Sequence, residues 1–151
     1  MKALSHAGPD LAILHHILVF GLVAMIMGER VLLRAAPLDV DRLGHLDAGV
    51  GGAAALVLIV GVSRVIWGGK GWMFYEANPF FWAKLAVFGL IAAASIIPTL
   101  RFIAWRRARK ADPAFQPEPA DVARVRRWLG IEALLLLPLL AFAAAMARWP
   151  F

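Results

Sequence analysis

Two adjacent histidines, His15 and His16, stand inside an otherwise apolar run, LAILHHILVFGLVAMIMGERVLL. On insertion scales an ionisable side chain at membrane depth costs roughly 2.5–3.5 kcal/mol, so each such residue is a site hypothesis by default. If the run is a helix, both imidazoles lie about 6–8 Å below its start. Lys84, five residues past Pro79 in PFFWAKL, reaches a similar depth of about 8 Å. Arg64 falls near the same end, and Lys70, Tyr75 and Asn78 sit just above it. The result is one layer of imidazole, ammonium and guanidinium groups, flanked by Trp72, Phe80, Phe81 and Trp82. Such a layer suits a large, flat, anionic molecule. Haem b meets that description. His15 or His16 would ligate the metal, Arg64 and Lys70 would pair with propionates beside Tyr75, and Lys84 would act as a second ligand or proton donor.

Helix geometry narrows the choice. Neighbouring residues point about 100° apart, so at most one of His15 and His16 aims at a bundle centre. A bis-histidine site is disfavoured, because His45 falls at the opposite end of its span and His6 lies beyond Pro9. The bland alternative is a histidine that merely hydrogen-bonds to a neighbouring helix. Copper fits less well, since soft sites favour cysteine and methionine. There is no cysteine, and Met25 and Met27 lie well below the histidine pair.

A second polar layer comprises Glu29, Arg30, His45, Asp47 and Glu132. His16 and Glu29 are about 20 Å apart along a helix, too far for one metal site. The expected role of this layer is a structural charge network. Glu29, Asp47 and Glu132 would answer Arg30, Arg42 and Arg127, with a proton path as the alternative.

The elements that must hold these layers follow from composition. Of 151 residues 62% are hydrophobic and 17% charged, with mean hydropathy +0.73, far from a soluble domain's average. Disorder, a disulfide scaffold and a nucleic-acid module are excluded. A spanning helix needs roughly 20 mostly apolar residues, and four stretches qualify: about 11–33, 46–67, 79–99 and 128–147. The third can continue as a wetted helix to Arg109. The fold class is therefore all-α, an integral-membrane antiparallel four-helix bundle forming a single domain over 1–151. Asp10, Asn78 before Pro79, and Asp121 are the expected caps. Gly68, Gly69 and Gly71 form a loop around Lys70, and a polar loop covers about 106–127. Gly44, Ala48 and Gly52 offer a small-residue face for close packing. Pro98 and Pro138 should bend their helices. A cleaved signal peptide is not expected, because the first apolar run is too long and carries the histidines.

Eleven of the 16 Lys and Arg fall between helices one and two or between three and four. The positive-inside bias then puts both termini and the glycine loop outside the cytoplasm. The pI of 10.8 reflects these basic clusters beside anionic headgroups. Lipid is the expected partner, with a tetrapyrrole or quinone as ligand and a homo-oligomer or membrane complex as the assembly; nucleic acid is not expected.

The blocks ILHHILVFGLVAMIMGERVLLR, SRVIWGGKGWMFYEANPFFWAKL and SIIPTLRFIAWRR resemble a bacterial four-helix inner-membrane family of unknown function, the DUF2214-like proteins. That resemblance covers almost the whole chain and implies no activity. A histidine early in helix one and a lysine early in helix three (His15 or His16, and Lys84) are also similar to the J-type protoporphyrinogen oxidases and copper-resistance D proteins. This second resemblance implies haem or porphyrin near the histidines with Lys84 assisting. The second histidine, the glycine loop and Arg64 depart from its pattern. The resulting expectation is a haem- or porphyrin-binding redox protein of the bacterial inner membrane. A non-enzymatic membrane subunit or assembly factor and a small transporter are the alternatives.

Overall fold

The computed structural model describes residues 7–67 and 70–149. Lys2, His6, Gly68 and Gly69 lie outside the described residues. The described residues form four long helices and one short one: α1 (Ala7–Leu32), α2 (Val40–Trp67), α3 (Trp72–Glu76), α4 (Pro79–Ala111) and α5 (Pro119–Ala147). The four long helices are each apolar and long enough to cross a membrane. Their apolar faces look outward as well as inward; Ile17, Phe20, Ile59, Leu134 and Leu137 are all exposed. A helix apolar all round matches a hydrocarbon surround.

Short connections make successive long helices antiparallel. Packing is most extensive within two pairs, α1 with α2 and α4 with α5, while α2/α4 and α1/α5 close the ring more sparingly. The bundle is thus two tight hairpins leaning on each other, and the seam between them is where space remains. One end, the aromatic end, carries α3 with Trp72, Trp82, Phe80 and Trp149. The other carries Arg101 to Arg127 and is the basic end.

Several boundaries differ from the sequence reading. Helix α4 runs to Ala111 and α5 starts at Pro119, so the expected 106–127 loop shrinks to 112–118. At ~1.5 Å per residue these helices exceed the ~30 Å hydrocarbon core and project beyond it. Their ends stay helical because they bury side chains against each other. Phe102, Trp105, Val122, Val125 and Leu129 join Leu33, Val40 and Leu43 in a compact core. Helix α2 begins at Val40, where Asp39 Oδ1 accepts from the Arg42 amide at 2.9 Å. Asp10 and Asp121 sit inside the first turns of their helices instead of capping them. Asn78 does cap α4, accepting from the Phe80 amide at 3.0 Å. Gly71, at φ 73°, makes the left-handed entry to α3 that a side chain would disfavour.

The small-residue face also departs from expectation. Ala48, Gly51 and Gly52 are exposed, and Gly52 has open space where a Cβ would stand. Of that face only Gly44 makes a close approach, to the Arg106 side chain. Close contact between α1 and α2 comes instead from Gly28 against Leu46 and Gly49 against Met25. Pro98 and Pro138 lie within unbroken helices.

Candidate functional site

At the aromatic end the seam widens into a cavity of about 260 Å³. All four long helices and α3 contribute to it. His15 comes from α1, Gly61 and Arg64 from α2, Tyr75 from α3, Lys84 from α4 and Met146 from α5. The remaining walls are Val, Leu, Phe and Ala, and among the described residues no acidic side chain lines the space.

Local structure explains how each group arrives there. His15 projects from α1 into a gap left by the missing side chain of Gly61; a Cβ there would stand 3.3 Å from His15 Cε1. The ring lies beside the backbone of Val57 and Gly61. Its Nδ1 is buried and has no hydrogen-bond partner. Arg64 and Lys84 are near enough for their charges to act on His15. Lys84 Nζ rests 3.6 Å from Met146 Sδ and 5.5 Å from the Phe81 ring centroid, so soft and aromatic surfaces replace an acidic counter-charge. Tyr75 is buried between Phe74 and Phe81, each with its ring centroid 5.3 Å away. Above them Asn78, fully buried, donates through Nδ2 to the Met146 carbonyl at 3.2 Å, tying the start of α4 to the end of α5.

Four of the expected residues therefore converge: His15, Arg64, Tyr75 and Lys84. Two do not. His16 is exposed, and its Nδ1 meets the Ala12 carbonyl at 2.6 Å, one turn back on its own helix. The two imidazoles stand perpendicular with centroids 6.2 Å apart, as the 100° step requires. Lys70 is exposed and sits 4.2 Å over the Phe74 ring, outside the cavity. Among the described residues no group of three or more His, Asp or Glu is placed to hold a metal ion. Met146 and Gly61 are site residues the sequence reading missed. An apolar methionine and a helical glycine carry no chemical flag until a neighbour is seen against them.

The second polar layer, nearer the basic end, is not the ion-pair network expected. Among the described residues the acid–base pairs are Arg101–Asp121 at 3.4 Å and Arg106–Asp41 at 3.7 Å. Arg42 and Arg127 are exposed. Arg30 lies against Gly130, with Nη1 buried and unpartnered. Asp47 accepts from the Thr99 hydroxyl at 2.7 Å, and Glu132 from Ser95 Oγ at 3.4 Å. The acids face the bundle interior while most of the guanidiniums face out, which is why they do not meet.

No curated protein and no solved structure matches this chain. The likeness to the J-type oxidases and copper-resistance D proteins thus rests on a histidine and Lys84 alone. A family match does cover residues 10–149, with the four long helices that length and composition demanded: the chain belongs to the family described as "Predicted membrane protein (DUF2214)".

Proposed function

We propose that this is a bacterial inner-membrane protein that binds an anionic amphipathic cofactor at its aromatic end, and that the cofactor is haem b or a related porphyrin serving a redox role. The observation that carries the reading is His15. Its imidazole lines an apolar cavity, with Nδ1 buried and unpartnered and two cations beside it. A buried polar atom without a partner is uncommon and calls for an explanation. A neutral imidazole is a standard axial ligand, and Arg64 with Lys84 would meet the propionates. Tyr75 and Phe81 would flank the ring. When bound, haem supplies one-electron chemistry. Lys84, held among Met146 and Phe81 without an acid partner, would hold or deliver a proton at Nζ. His16 and Lys70 have no place in this site.

Volume favours a second reading. The cavity of about 260 Å³ lies below the ~300–1,000 Å³ of pockets that enclose drug-sized ligands. A macrocycle would extend past it toward the lipid-facing Leu58, Val62 and Leu140, which line the cavity yet stay exposed. A quinone, with one small ring and an apolar tail in the bilayer, would be enclosed more fully. Bacterial inner-membrane placement with both termini outside the cytoplasm is part of the same proposal. The distribution of Lys and Arg supports that orientation.

The test is an absorption spectrum of protein purified after haem-supplemented expression. A Soret band that His15→Ala abolishes and His16→Ala leaves intact is the expected result. A colourless sample that retains an extractable quinone favours the second reading. A band lost in His16→Ala but kept in His15→Ala overturns the assignment of His15.

A further inference from the structure

We propose that Glu29 and Glu132, with Asp47 beside them, form a proton-binding site in the basic half of the bundle. This site is independent of the aromatic-end cavity and does not rest on any reading of it. Glu29 on α1 and Glu132 on α5 are each 1% exposed, and among the described residues Glu29 makes no side-chain hydrogen bond. The Oε1 atoms of both are buried and unpartnered. The two carboxyls and that of Asp47 lie within electrostatic reach of one another.

What faces them decides the ligand. From α2 comes Asp47, from α5 Glu132, and from α4 only the hydroxyls of Ser95 and Thr99. On α1 the neighbouring Arg30 turns to Gly130, two residues from Glu132 and hence on another face of α5. Toward the basic end Arg101 pairs with Asp121 at 3.4 Å, and Arg106 lies 3.7 Å from Asp41 and 3.3 Å from His45. Among the described residues no cation pairs with these acids. The described residues also lack a group of three ligands placed for a metal ion. A carboxylate in an apolar interior without a counter-charge neutralises instead, and a proton is the cation that needs no coordination shell. Chains of buried acids at membrane depth commonly carry protons. Ser95 and Thr99 supply hydroxyls that can accept or donate as the proton comes and goes.

Infrared spectroscopy of the whole protein in lipid nanodiscs tests this directly. The expected result is a carboxylic-acid C=O band at neutral pH that shifts in D₂O and disappears reversibly as pH is raised. Part of it should be lost in Glu29→Gln, part in Glu132→Gln, and most in the double variant. Glutamine keeps the shape and neutrality of a protonated glutamate, so the single variants should retain the wild-type thermal midpoint. Absence of the band from wild type at neutral pH overturns the proposal. So does a band unchanged in both variants, or one that neither pH nor D₂O moves. The wild-type spectrum decides even if a variant fails to fold.

Discussion

Side-chain identity and depth placed His15, Arg64 and Lys84 in one layer; the direction each points was a separate matter. His15 and His16 are one residue apart, yet one lines the cavity and the other bonds back to Ala12. Which of the two faces inward depends on the rotation of α1 about its axis, and a nearly uniform apolar run does not encode that rotation. Gly61 marks the answer, because the His15 imidazole sits where its side chain would stand. Gly61→Val should therefore push His15 out of position. Overpacking of this kind costs about 1–3 kcal/mol, and 1.4 kcal/mol is tenfold in affinity. Retention of the bound cofactor, read as Soret absorbance per protein, should fall about tenfold or more while Gly52→Val, in open space, changes nothing. Equal retention in the two variants would remove Gly61 from the site.

Among the elements, the junction between α3 and α4 holds the cavity's aromatic end in place. Asn78 accepts from the Phe80 amide and donates to the Met146 carbonyl, so one buried side chain both starts α4 and fastens the end of α5. Its cap was legible from the Asn-Pro pair; its tie to a residue 68 positions away was not. Asn78→Ala should lower stability by about 1–2 kcal/mol through loss of the cap, and more through the unpaired carbonyl. Asn78→Asp, which preserves the cap acceptor but not the Nδ2 donor, should fall between. Thermal midpoints in detergent would order the three proteins. Identical midpoints for Asn78→Ala and wild type would show that these two hydrogen bonds do not stabilise the junction. The lengths of α4 and α5 teach a related lesson. The helices run further into the expected 106–127 loop than the sequence indicates because Phe102, Trp105 and Val125 bury one face there.

At the scale of the molecule, two tight hairpins leave one seam with a cationic cavity toward one end and a carboxyl trio toward the other. Their separation keeps positive and negative groups from neutralising each other, and leaves both layers available for ligands. The proposed orientation has a direct check, because the chain contains no cysteine. Lys70→Cys and Ala114→Cys each introduce a single thiol at an exposed position, one near each end. A membrane-impermeant thiol reagent should label Lys70→Cys in intact spheroplasts and Ala114→Cys only after the membrane is opened. The opposite pattern would invert the topology and move the aromatic end to the cytoplasmic side.

By itself the sequence determined the class of protein, the number of spans and the grouping of polar residues by depth. Hydrophobic length and helical rise are local quantities, and each follows from a continuous stretch of chain. Only the tertiary structure decided which faces meet. Packing chose His15 over His16 and Gly61 over the Gly44–Gly52 stripe. It also brought Met146 against Lys84, and left Glu29 and Glu132 without the arginines that flank them in sequence. Those outcomes depend on the rotation of each helix relative to three others, and the energy that sets it is shared among contacts far apart in the chain.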